Sequence, residues 1–96
     1  MTKIWIEQGV IWNLQPVAHE GFRRVIKLAV KMGCDIYVLS GAEGDHQPDS
    51  LHYPGLAWDM RTNGFTKQVL LVALGKEWDV IAYDWGFHCE YDPKGK

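Results

Sequence analysis

The chain has 96 residues, of which 47% are hydrophobic and 23% are charged, and its net charge is −2. This length predicts one domain over residues 1–96 with a small core, and the composition excludes a disordered or fibrous chain. So small a net charge gives no reason to expect a nucleic acid or a membrane as partner. The N-terminus, MTKIWIEQGV, lacks a secretory pattern, which predicts synthesis in the cytoplasm without a signal peptide.

The first half of the chain predicts a strand, a helix and a second strand. Residues 3–7 alternate polar and apolar side chains, as in a short strand. A helix is predicted over about 17–32, with Pro16 in its first turn and Gly33 as its stop. Residues 35–41 are rich in β-branched and aromatic side chains and predict a buried strand. The inward face of the helix is predicted to hold Phe22, Val25, Ile26, Ala29 and Met32.

The second half predicts three more strands and one helix. The strands are expected over 56–61, 78–83 and 87–91, with a turn at Trp85-Gly86 that makes the last two a hairpin. Asn63 is expected to cap a helix over about 64–75, which ends at Gly75. Its inward side chains are predicted to be Phe65, Val69, Val72 and Ala73. This order predicts an α+β domain, with a mainly antiparallel sheet packed with two helices.

A histidine and an aspartate flank a turn in SLHYPGLAWD, residues 50–59. Pro54 fixes φ at the first central position of the turn, and Gly55 permits the positive φ that a type II turn needs at the second. Because the turn reverses the chain, His52 can approach Asp59, which shares one face of the following strand with the small Ala57. A histidine nitrogen and a carboxylate oxygen would make two ligands of a zinc site.

His88 is the best candidate for a third ligand. It lies between Phe87 and Cys89 on a strand predicted to be mostly buried, and a buried histidine needs a polar partner. Taken alone, each of the three residues has an ordinary alternative: a loop histidine, a solvated carboxylate, or a core histidine bonded to a carbonyl. Three protein ligands would leave the open fourth position of a catalytic zinc.

The same stretch resembles a known zinc motif. It matches Ser-x-His-x-x-Gly-x-Ala-x-Asp at every specified position. This is the motif of the superfamily of zinc D-alanyl-D-alanine carboxypeptidases and dipeptidases and of phage L-alanyl-D-glutamate endopeptidases, whose fold the Hedgehog signalling domain shares. The Val38-Leu39-Ser40-Gly41 strand end and the His88–Pro93 segment, HCEYDP, are similar to flanking parts of small phage members.

The resemblance implies a Hedgehog/DD-peptidase-like fold and one Zn²⁺ per chain, held by His52, Asp59 and His88. It also implies hydrolysis of peptide bonds in the cross-linking peptides of bacterial peptidoglycan. We expect a monomer. The enzyme would be of phage or prophage type and would reach the cell wall after holin-type release or as a virion component. Ser50 and His46 would line the substrate cleft by their position in or near the motif.

Two departures from the family pattern concern catalysis. The general base usually lies three residues before the last histidine, which is Trp85 here; the nearest carboxylate is Asp84, with Glu90 as the alternative. The arginine that follows Ser-Gly in many relatives is missing, and Arg61 is the candidate to hold the substrate carboxylate in its place. These departures leave a second interpretation open, a catalytically inactive zinc-binding domain that serves in binding or assembly.

Overall fold

The computed structural model of the protein describes residues 2–41 and 54–93. In these residues five strands form one sheet: β1 (Ile4–Ile6), β2 (Ile36–Ser40), β3 (Ala57–Thr62), β4 (Trp78–Tyr83) and β5 (Gly86–Tyr91). Their order is β1-β2-β3-β5-β4. Only the β1–β2 pair is parallel, and the other three pairs of this described sheet are antiparallel. The predicted α+β class is confirmed as a small compact domain with a mixed sheet and two helices.

The long helix α1 (Pro16–Met32) connects β1 to β2, and it begins and ends as predicted. Pro16 stands at its first turn, where a missing N–H costs no intrahelical hydrogen bond. Gly33 takes the left-handed conformation, with φ of 71°, and its N–H returns to carbonyls of the last turn. Phe22, Val25 and Ala29 are buried as predicted, whereas Met32 is 42% exposed.

The second helix, α2 (Lys67–Leu74), begins later than predicted. Thr66, not Asn63, is its N-cap, since the Thr66 side chain accepts a hydrogen bond from the Val69 N–H. Asn63 instead accepts one from the Asp35 N–H, which ties the end of β3 to the start of β2. The prediction that Val72 faces inward is wrong: its side chain is 85% exposed, and Leu70 and Leu74 are the buried residues of α2.

Both helices pack on one face of the sheet, and the core lies between the helices and this face. Alternate residues of the strands point into it, among them Val38, Trp58, Met60 and Cys89. Trp58 stacks edge-to-face on both Phe22 and Trp78, so these indoles fill the core, as expected for so aromatic a chain. The other face of the sheet carries Asp59, Arg61, His88 and Glu90, and we call it the open face.

The last two strands form the predicted hairpin, with a small shift of its turn. Asp84 and Trp85 are the two turn residues, and Gly86 is already the first residue of β5, paired with Tyr83. Gly86 has φ of 152°, and a side chain there would run into the Met60 carbonyl of β3. A glycine is therefore needed for the close approach of β5 to β3.

The cysteines and the lengths of the helices complete the description of the fold. Cys34 and Cys89 are both buried, and neither forms a disulfide. Neither α1 nor α2 is long and apolar enough to cross a membrane, and the described part of the chain has no other candidate segment.

Candidate metal centre

Part of the predicted site falls outside the described residues. His46, Ser50 and His52 lie between residues 41 and 54, so their predicted roles stay predictions. The turn that follows them is described. Pro54 and Gly55 form it, and Gly55 has the positive φ of 77° that the type II interpretation requires.

The turn is fixed against the segment that enters α1. Gln15 donates two hydrogen bonds to it, from its backbone N–H to the Gly55 carbonyl at 2.9 Å and from its side chain to the Pro54 carbonyl at 2.6 Å. A side chain at Gly55 would collide with the Asn13 carbonyl. The start of β3, and with it the position of Asp59, is therefore held by contacts remote in sequence.

Strand register brings two of the predicted ligands together. β3 and β5 are antiparallel neighbours, and Asp59 is paired directly with His88. Directly opposed side chains lie on the same face about 5 Å apart at their Cβ atoms. Here the side chains meet, with 2.8 Å between Asp59 Oδ1 and His88 Nδ1. Asp59 and His88 are thus in direct contact across the two strands.

Glu90 occupies the other nitrogen of the same imidazole. It lies two residues from His88 on β5, hence on the same face, and its Oε1 is 2.6 Å from His88 Nε2. Glu90 therefore contacts a candidate ligand directly, and a carboxylate in this position can orient a ligand histidine. The imidazole is held at both ends, and its rotation about the Cβ–Cγ bond is restricted.

The two carboxylates determine the protonation state of His88. Its partial burial acts to lower the pKa of His88, but its hydrogen bonds to Asp59 and Glu90 and the negative charges of these carboxylates outweigh this, and the pKa is raised above the usual value for histidine. Carboxylates without a proton only accept hydrogen bonds, so two such contacts at once require a proton on each ring nitrogen, which is the imidazolium form of His88. A metal would replace the proton on one nitrogen.

The arrangement fits a zinc ion at the Nδ1 side of His88. Zn–N and Zn–O bonds of about 2.0–2.2 Å at tetrahedral angles put ligand atoms about 3.4 Å apart. Asp59 Oδ1 and His88 Nδ1 are 2.8 Å apart, so a shift of less than 1 Å, within the range of side-chain rotation, would admit the ion. Nε2–H would keep its bond to Glu90, the usual outer contact of a zinc-bound histidine.

A second group of possible ligands lies beside Glu90. Asp79 pairs with Glu90 across β4 and β5, and Asp92 lies two residues further along the chain. One oxygen of each of these three carboxylates lies within 4.8 Å of the others, so the group could hold a metal ion. The sequence reasoning missed Asp79 and Asp92, although the spacing of His88, Glu90 and Asp92 on one strand face was visible.

The predicted base and the predicted substrate arginine lie at the hairpin end of the open face. Asp84 is exposed in the turn. The hairpin end at Gly86 is about 7 Å along β5 from His88, and Asp84 lies beyond it. Arg61 is exposed and shares the face of Asp59 as predicted, but its Nε donates to the Trp85 carbonyl at 3.2 Å. The structure brings neither residue into contact with His88.

No protein-family model, curated protein or solved structure matches the chain.

Proposed function

We propose that the protein is a zinc-dependent peptidase that hydrolyses peptide bonds in the cross-linking peptides of bacterial peptidoglycan. The main support for this proposal is the 2.8 Å contact between Asp59 Oδ1 and His88 Nδ1 on neighbouring strands. Asp59 belongs to the zinc motif that the chain resembles, and His88 to the flanking segment that resembles small phage members; His52, two residues before the described turn, is the proposed third ligand. Three ligands leave a coordination position open for water or substrate.

The proposal includes the finer fold assignment. A mixed sheet with both helices on one face and the ligand residues on the other suits a Hedgehog/DD-peptidase-like domain. The extended substrate peptide is proposed to bind along the open face. Wall degradation by a phage or prophage enzyme, acting after holin-type release or from the virion, is the role that such a domain would have.

Asp59, Arg61, His88 and Glu90 of the open face and Asp84 of the hairpin turn have parts in the proposed reaction. Zinc, when bound, lowers the pKa of a water molecule and polarises the scissile carbonyl. Asp59 and His88 hold the ion, and Glu90 keeps the His88 ring in place by accepting the Nε2 proton. Arg61 binds a carboxylate of the substrate. Asp84 accepts a proton from the attacking water and passes it to the leaving amine.

One observation favours a second candidate, a domain of this fold that binds zinc without catalysis. Glu90 is placed on the side of the imidazole opposite to Asp59, so it is poorly placed to act as base for an ion on the Asp59 side. Asp84 lies past the hairpin end, beyond contact with His88. If no carboxylate reaches the water, the site binds the ion and catalyses nothing.

Mass spectrometry of purified peptidoglycan after incubation with the zinc-loaded protein distinguishes the two. The peptidase predicts new termini, at D-Ala-D-Ala or L-Ala-D-Glu bonds, and their loss in Asp59→Ala. Asp79→Ala is the matched control, since it removes a carboxylate of the same face outside the proposed zinc ligands, and it is expected to retain cleavage. Asp84→Asn should reduce cleavage by about 100-fold or more if Asp84 is the base. Binding of one zinc per chain without cleavage of any type of cell wall would reject the peptidase and support the zinc-binding domain without catalysis.

A further inference from the structure

The charges of the described residues are distributed unevenly between the helix layer and the rest of the domain. The helix layer, residues 16–32 and 67–77, contains six cationic and two anionic residues, a formal charge of +4. The other described residues contain two cationic and seven anionic residues, a formal charge of −5. The cations of the helix layer are Arg23, Arg24, Lys27, Lys31, Lys67 and Lys76. The net charge of −2 conceals this separation, and the expectation of no membrane partner depended on that net charge alone.

The cationic layer also has an apolar groove. It lies between α1 and α2, has a volume of about 260 Å³, and is lined by Leu28, Gln68, Val69, Val72 and Ala73. Val72 projects from it with 85% of its surface exposed. The groove is bordered by cations on the α1 side, because Arg24 and Lys31 are four residues before and three residues after Leu28 and so neighbour it on the helix surface.

We propose that the helix layer docks on an anionic lipid surface, with Val72 and the groove in contact with the acyl region and the lysines near the headgroups. Stable attachment to a membrane surface needs two contributions, apolar insertion and attraction to anionic lipids, and the helix layer supplies both. Its cations are distributed over α1 and the α2 region, so several of them can face the flat, negatively charged surface of a membrane at once. The acidic open face lies on the far side of the sheet, so a negative surface orients the molecule one way.

This orientation leaves the open face accessible. The docked helices and the candidate metal centre are on opposite faces of the sheet, so lipid contact does not cover Asp59 or His88. The docking does not depend on zinc or on peptidase activity, and it can be tested apart from both.

Co-sedimentation with lipid vesicles tests the docking. The full chain is mixed with vesicles of phosphatidylcholine with about 30% phosphatidylglycerol, and with vesicles of phosphatidylcholine alone. Binding is expected only to the anionic vesicles and is expected to fall steeply with salt, since the Debye length shrinks from about 10 Å at 0.1 M to about 3 Å at 1 M. Equal binding to both kinds of vesicle, or to neither, would overturn the proposal.

Matched variants locate the contact on the helix layer. Lys27→Gln should weaken partitioning about five-fold, whereas Lys3→Gln, the same change of charge on the other side of the molecule, should leave it unchanged. Val72→Ser should weaken vesicle binding without changing the charge, and circular dichroism checks that each variant is folded. Equal effects of the two lysine changes, or an unchanged Val72→Ser variant, would show general attraction to polyanions instead of docking.

Discussion

Replacing Glu90 by glutamine should weaken zinc binding by about 10-fold. Glutamine keeps an oxygen that can accept the Nε2 proton of His88, but it removes the negative charge 2.6 Å away. Bonds to a charged acceptor contribute about 1.5–3 kcal/mol and neutral ones about 0.5–1.5 kcal/mol. The difference of about 1.4 kcal/mol corresponds to one order of magnitude in affinity. The loss appears in the binding constant because zinc on Nδ1 makes Nε2–H a stronger donor, so the bond to Glu90 strengthens when the ion binds.

Competition with a chromophoric chelator measures this change. The measurement is made at alkaline pH, where the proton competes least with zinc for His88. Asp79→Asn is the control: it makes the same change of charge on the residue paired with Glu90 across β4 and β5, outside the proposed zinc ligands. Its effect on affinity should be small. An Asp79→Asn loss equal to that of Glu90→Gln would place the ion in the acidic group instead, and an unchanged Glu90→Gln affinity would refute the orienting role.

Three further predictions concern stability and reactivity. In metal-free protein the raised pKa of His88 stabilises the fold: the contribution is complete below the unfolded pKa of about 6.5 and is lost as pH rises through the folded pKa. Urea unfolding across this range should show the free energy of unfolding falling as pH rises. The same pH dependence of that free energy in Glu90→Gln would contradict the prediction. Gly21→Ala should destabilise the protein by about 1–3 kcal/mol, because the added methyl group would run into the Trp78 ring. This loss should outweigh the gain from the higher helix propensity of alanine. Thermal unfolding measures the change, and a stabilised variant would contradict the described packing of Gly21 on Trp78. Burial raises the pKa of the Cys89 thiol, so Ellman's reagent should modify Cys89 only on unfolding, and rapid labelling of that thiol in the native protein would contradict its placement.

Much of the fold follows from local signals in the chain. The helix α1 was predictable because its apolar positions, Pro16 and Gly33 all specify the same limits. The start of α2 was not, because Asn63 and Thr66 are both good capping residues and the choice depends on a distant contact of Asn63 with Asp35. The orientation of Val72 failed for a related reason: α2 is apolar almost all round, so its sequence does not specify a single buried face.

The candidate site divides in the same way. Asp59 was placed on its face by strand alternation and by the turn at Pro54-Gly55. The pairing of Asp59 with His88 was not predictable from alternation, since it depends on which strands are neighbours and in what register. The same is true of Asp79, whose approach to Glu90 depends on the β4–β5 register.

We propose that Asp59 and His88 hold one zinc ion. Elemental analysis of protein dialysed against zinc tests this most directly, for the wild type and for Asp59→Ala, His88→Ala and Asp79→Ala, with circular dichroism to confirm folding. About one zinc per chain is expected in the wild type and in Asp79→Ala, and loss of the ion is expected in the other two. Zinc retained in folded Asp59→Ala and His88→Ala, or lost only in Asp79→Ala, would contradict it.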